Sequence, residues 1–261
     1  MAVGGRARRR PAPILVGMAP DPRAARRLLL LSNSRDADGR YLAHCRDALA
    51  EHLDGVREVA FVPYAGVTVA WDAYAARVAE ALAPLGVRVR SVHAHGDPAG
   101  VVRDAAAVAV GGGNTFHLLA HLYRSGLLGA VRERVAAGAP YLGWSAGSVV
   151  ACPTLQTTND MPVVEPPAFA ALGLVGVQIN AHYTDFHPPG FQGETRAERL
   201  AEFIAANPDA AVVGLPEGSW LEARGPALTL GGPHAAPVFR HAREVERVAP
   251  GAALAELEAR A

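Results

Sequence analysis

Short apolar runs alternate with longer amphipathic stretches along the 261 residues. Residues 28–31 are consecutive leucines ending at Ser32-Asn33-Ser34, as expected of a strand buried on both faces. Leu42, Cys45, Leu49 and Leu53 recur at helical spacing and predict a helix over 40–53. Strands follow at 59–62, closed by Pro63, and at 87–92, 106–110 and 141–144, with helices predicted at 71–82, 115–124 and 128–137. This alternation predicts an α/β fold, a mostly parallel sheet flanked by helices. Residues 153–181 are rich in Pro, Thr and Asn and weakly periodic, which suits a loop-bearing excursion over the sheet edge. A helix at 194–206, a strand at 211–215 and a hairpin across 219–239 turning at Gly231-Gly232 complete the pattern, with no internal repeat. One α/β domain over 27–261 accommodates all of it.

The strand at 141–144 runs into Gly143-Trp144-Ser145-Ala146-Gly147. Flanking glycines leave room for a sharp strand-to-helix reversal that exposes the serine hydroxyl, the elbow geometry of hydrolase nucleophiles. A tightly packed Gly/Ala/Ser turn has the same signature, so the pentapeptide needs partners. Serine attacks only when a base takes its proton and a third group orients that base. Of the ten histidines, His44, His52, His117 and His121 fall in helical patterns and His93, His95, His234 and His241 near turns. His187 lies in a Pro-Pro loop, whereas His182 closes the strand-like Val177-Gln178-Ile179-Asn180-Ala181, at the end of a strand where open α/β sheets bind ligands. Gly111-Gly112-Gly113, followed by Asn114 and Thr115, marks another strand-to-helix junction. It lacks the G-x-G-x-x-G spacing of a dinucleotide site. Its N–H groups suit a phosphate or, with Ala146 N–H beside a nucleophile, the oxyanion of a tetrahedral intermediate.

Composition narrows the partners. Formal charge is zero, which carries no nucleic-acid footprint. All 25 basic residues are arginine, so Schiff-base lysine chemistry and the lysine phosphate loop are excluded. Cys45 and Cys152 form no CxxC pattern, so neither a zinc site nor a disulfide framework is indicated, and a reducing cytoplasm fits. No run approaches a membrane span. Residues 1–26, with Arg6, Arg8, Arg9 and Arg10 and too little apolar length for a signal peptide, are expected to be a disordered extension, with Met18 an alternative start.

The runs Leu28 to Ser34, Phe61 to Val67, Val110 to Phe116, Gly143 to Gly147, Thr157-Thr-Asn-Asp-Met-Pro162, Gly193-Glu-Thr-Arg196 and Leu215-Pro-Glu-Gly218 occur in one order over about residues 27 to 245. Together they resemble the peptidase E family, the serine aspartyl dipeptidases grouped with cyanophycinase. The resemblance implies a sandwich similar to class I glutamine amidotransferases, with serine at the elbow, and hydrolysis of dipeptides and some longer amides bearing an N-terminal aspartate. It implies Ser145 as nucleophile and His182 as base, in a segment where the family more often has Pro at the position of Ala181. Asp160 and Glu217 both lie in intact motifs and both suit the third position. Glu217 is expected to orient the imidazole and Asp160 to face the substrate. Arg196 matches a position that resembles a specificity residue for the aspartyl carboxylate, and Asn114 and Thr158 are expected at the substrate.

The expectation is therefore a cytoplasmic serine exopeptidase acting through an acyl-enzyme without metal or cofactor, with Gly112, Gly113 and Ala146 as oxyanion hole. Its partner is a small peptide with N-terminal Asp; no nucleic acid or membrane is expected, and the chain would be a monomer or homodimer. Two alternatives remain: the same machinery acting on another amide or ester, such as a cyanophycin-like β-aspartyl peptide, and a non-catalytic small-molecule binding protein on the same fold.

Overall fold

A computed structural model describes residues 25–190, 192–254 and 257. The elements in chain order are β1 (Arg27–Leu31), α1 (Arg46–His52), β2 (Glu58–Val62), α2 (Trp71–Leu82), β3 (Arg88–Ser91), α3 (Pro98–Arg103), β4 (Ala107–Val110), α4 (Thr115–Arg124) and α5 (Leu127–Ala136). They continue with β5 (Tyr141–Trp144), α6 (Ala146–Val149), β6 (Gln178–Tyr183), α7 (Arg196–Ala206), β7 (Ala211–Pro216), β8 (Trp220–Arg224), β9 (Ala227–Gly231), β10 (Ala236–Arg240) and β11 (Glu246–Val248). The fold is an α/β sandwich. A seven-stranded sheet runs β3-β2-β4-β5-β1-β8-β9, parallel through its first five members, with β8 and β9 antiparallel.

The leucine run of β1 explains the layering. Leu28 and Leu30 pack with Leu118 of α4, Val131 of α5 and Val149 of α6. Leu29 and Leu31 pack with Leu49 of α1 and with Val78 and Leu82 of α2. All four leucines are fully buried, as a strand covered on both faces requires. A second sheet, β11-β10-β7-β6, sets Ile179, Val213 and Val238 against the first of these cores. Its other face, with Tyr183, Val212 and Phe239, is covered by Leu200 and Ile204 of α7. A capping box starts α7: the Thr195 hydroxyl accepts from Glu198 N, and the Glu198 carboxylate accepts from Thr195 N.

Several elements depart from the sequence expectation. The helix expected over 40–53 begins only at Arg46, after a 3-10 turn, because Leu42 is left-handed (φ 54°) and its N–H donates to Ser34 O. Its four apolar residues are nonetheless buried. The hairpin turns at Gly225-Pro226, since Arg224 pairs with Ala227. Gly225 has φ 56°, so with proline second in the loop it meets the type II′ requirement. Gly231-Gly232 instead leads from β9 towards β10 in the other sheet. Helix α3 was not anticipated, although Asp97 caps it and Pro98 opens it. Of the extension expected over 1–26, residues 1–24 lie outside the described residues; Arg26 is buried and its Nε donates to Gly225 O. No helix among the described residues is long and apolar enough to cross a membrane.

Candidate active site

Ser145 stands between β5 and α6 with φ 52° and ψ −116°, outside the regions an L-residue ordinarily occupies. Such a conformation costs on the order of 1–3 kcal/mol and persists only where its surroundings over-determine it. Ser145 N donates to Leu31 O (3.0 Å), and Ser148 N and Val149 N donate back to Ser145 O. Ser148 Oγ, fully buried, reaches both Leu31 O (2.7 Å) and Gly143 O (3.0 Å). The glycines of the pentapeptide are required by close approach: a Cβ at Gly143 would lie 2.6 Å from Gly147 O, and one at Gly147 would lie 2.1 Å from Val110 O. Gly147→Ala must therefore push α6 away from the end of β4, and a loss of about 3 kcal/mol is expected. Urea unfolding would read it as a lower midpoint; an unchanged midpoint would refute the packing argument.

His182 is the second strained residue, with φ 56°, at a bulge where the β6–β7 register slips between Ala181 and Tyr183. Bulges re-aim side chains, and here the buried Ser32 hydroxyl holds the bulge by accepting from His182 N (2.9 Å) and donating to Leu215 O (2.8 Å). His182 Nε2 then lies 2.9 Å from Ser145 Oγ, and Nδ1 lies 2.7 Å from Glu217 Oε1. A carboxylate only accepts, so Nδ1 carries the proton and Nε2 is left to accept from the serine O–H. The turn bearing Glu217 is tied to the end of β1, where Asn33 Oδ1 accepts from Gly218 N (2.8 Å). Ser32 and Asn33 thus position both partners of Ser145, a role the sequence reading missed. Their signal was location: a Ser-Asn pair at the carboxyl end of the strand next to the elbow strand.

The other expected site residues are distributed as follows. Asp160 makes no hydrogen bond to His182; its Oδ2 accepts from Thr115 N (2.7 Å) and from Thr115 Oγ1 at the N-terminus of α4. A carboxylate there is favoured by the helix dipole. Thr158 shares a hydroxyl contact with Thr115 (2.9 Å) and accepts from Asp160 N. Asn114 caps α4 through Oδ1, and its Nδ2 donates to Met161 O. Asn114 lines the cavity above Ser145, whereas Thr158, Asp160 and Arg196 do not. Arg196 opens α7, partly buried, and burial lowers its guanidinium pKa from the ordinary value, with Arg199 adding to the shift.

The glycine turn closes the other side of the site. A Cβ at Gly112 would come 2.9 Å from Ser145 Cβ, and Gly113, with φ 138°, has no room for one beside Ala65 O. Among the described residues the N–H groups of Gly112, Gly113 and Ala146 donate to no protein acceptor. The turn is held from behind: Trp144 Nε1 donates to Tyr74 Oη (3.0 Å), and Tyr74 Oη donates to Gly112 O (2.9 Å). The cavity in front of Ser145 and His182 measures about 510 Å³, within the range of small-molecule sites.

The cysteines take no part: burial pushes both thiols up to about 12, which keeps them protonated. His52 is likewise structural. Burial first, and then Arg27, bring it down to about 3, and its neutral ring meets Tyr141 O. Among the described residues no group of three or more His, Cys, Asp or Glu could hold a metal ion.

A strained serine touching a carboxylate-bound histidine, beside a turn of open N–H groups, places the chain among hydrolases built on an α/β sandwich. Residues 28–231 match the family model of peptidase family S51, and the chain belongs to that family. It is a peptidase. Peptidase E of Shewanella amazonensis is 48% identical over 231 residues, 88% of this chain and 98% of that protein. Peptidase E of Citrobacter koseri is 48% identical over 217 residues, 83% of this chain and 95% of that one. Among solved structures, a peptidase from an acI-B1 Actinobacterium matches with TM-score 0.66 at 16% identity, covering 88% of this chain and 96% of the other. A peptidase E protein of Listeria monocytogenes matches with TM-score 0.54 at 23% identity, covering 86% and 99%. At these identities the structures speak for the fold alone.

Proposed function

We propose that this peptidase is a serine exopeptidase that removes N-terminal aspartate from dipeptides and small peptides through an acyl-enzyme. The observation that carries the reading is the continuous line from Ser145 Oγ through His182 to Glu217, at 2.9 and 2.7 Å. In this mechanism Ser145 Oγ attacks the scissile carbonyl while His182 Nε2 takes its proton, and the N–H groups of Gly112, Gly113 and Ala146 receive the oxyanion. The imidazolium, held by Glu217, protonates the leaving amine. Water then enters, gives its proton to His182 and releases the acyl group as free aspartate. The preference for aspartate is inferred from the resemblance to peptidase E. The resemblance assigns it to Arg196, a part-buried arginine with no carboxylate partner among the described residues, suited to bidentate binding but outside the lining of the cavity in front of Ser145.

Turnover of Asp-Leu, Ala-Leu and β-Asp-Arg tests the reading. Asp-Leu is expected to exceed Ala-Leu by about 100-fold or more in kcat/KM, since a site built for a charged group rejects the analogue lacking it. Equal rates for Asp-Leu and Ala-Leu, or a preference for β-Asp-Arg, would overturn the substrate assignment.

A further inference from the structure

Two arginines unaccounted for by the catalytic line face the same cavity. Arg35 follows β1, Arg77 lies on α2, and both line the space in front of Ser145 and His182; among the described residues no Asp or Glu does. Their guanidinium carbons sit 5.7 Å and 6.0 Å from the centroid of the Tyr41 ring, which serves both as a platform. Tyr41 is fixed in turn, its hydroxyl donating to Tyr74 Oη (3.3 Å), the same hydroxyl that holds Gly112. Burial raises the Tyr41 phenol above its ordinary pKa, so the platform offers no anion of its own.

Neither arginine is neutralised. The acids nearest Arg35 in sequence, Asp36 and Asp38, are both taken by Arg40 at 2.8 Å. Arg35 gives one N–H to Gly39 O (2.7 Å), and Arg77 makes no hydrogen bond or ion pair among the described residues. Two arginines with no carboxylate partner among the described residues lend the cavity positive charge, which attracts an anionic ligand.

We infer that Arg35 and Arg77 form a cationic subsite beside the nucleophile, separate from Arg196, that holds a carboxylate of the peptide substrate. This rests on the peptidase reading above and adds to it, because an Asp-X dipeptide carries two carboxylates, the aspartyl side chain and the C-terminus. Both present the same chemistry to a guanidinium pair, and chemical deletion of either one identifies which is read.

The test is binding, measured by calorimetry on Ser145→Ala protein so that nothing is consumed, with Asp-Leu, Asp-leucinamide and Asn-Leu as probes. Adding Arg35→Ala and Arg77→Ala together is expected to weaken Asp-Leu by about 10- to 100-fold, the worth of charge-assisted hydrogen bonds, with part restored by the lysine variants. If the C-terminus is read, the loss disappears for Asp-leucinamide and persists for Asn-Leu. If the side chain is read, the pattern reverses. Affinities unchanged within about twofold, equal losses for all three probes, or no binding of any probe before the arginines are changed would each overturn the subsite. Hydrolysis of Asp-Leu by the protein with Ser145 intact is scored separately: turnover that survives loss of both arginines unchanged sinks the subsite and leaves the peptidase standing.

Discussion

Ser145→Ala is expected to lower kcat for Asp-Leu by about four to six orders of magnitude, the scale seen when a serine nucleophile acting with its histidine is removed. Residual turnover above the water rate would come from the oxyanion donors and from substrate binding. The fold should be indifferent to the change. Alanine keeps the Cβ and therefore the strained φ of 52°, and what disappears is one hydroxyl contact with a part-exposed imidazole. Urea stability should stay within about 0.5 kcal/mol of the parent protein. Labelling by a fluorophosphonate should likewise vanish, because the reagent phosphonylates an activated serine hydroxyl and the one that His182 contacts is gone. Activity within tenfold of the parent enzyme, with folding intact, would remove Ser145 from the chemistry.

How much of this was visible in the chain depended on whether the cause was local. The elbow was legible because its requirements are local: an apolar strand, a serine, and glycines where a Cβ has no room, as Gly143 and Gly147 prove to need. Helices α2 and α4 were legible to the residue because their apolar spacing and end signals agree. The reach of His182 was not. It depends on a bulge whose register is set by β7 and on a hydroxyl 150 residues away at Ser32. The second sheet was hidden for the same reason, since β6 and β7 read as ordinary strands, the β10 stretch read as the second arm of a hairpin, and only their pairing separates them from the larger sheet. Two glycines together at Gly231-Gly232 drew the hairpin turn away from Gly225, where one glycine of positive φ followed by proline was enough. Arg35 and Arg77 carry no motif at all; a shared aromatic ring and a shared cavity bring them together.

The two carboxylates that sequence left side by side now have different neighbours, and a paired substitution separates their roles. Glu217→Gln keeps size and shape but can present an N–H to His182 Nδ1, which favours the tautomer that cannot accept the serine proton. In a buried triad the comparable change costs about 10⁴ in kcat. The Glu217 side chain is 64% exposed, so water can take over part of its work, and a loss of about two to three orders of magnitude is expected. Asp160→Asn acts elsewhere. It takes a charge from the N-terminus of α4 while leaving an oxygen to accept from Thr115, so stability should fall by about 1 kcal/mol and kcat by less than tenfold. Measuring kcat and the urea midpoint for both variants gives opposite signatures: activity lost without stability at Glu217, stability lost with activity largely kept at Asp160. The reverse pattern, with Glu217→Gln nearly silent and Asp160→Asn inactive but folded, would transfer the orienting role to Asp160 and require the loop at 157–160 to move towards His182 before the chemistry begins.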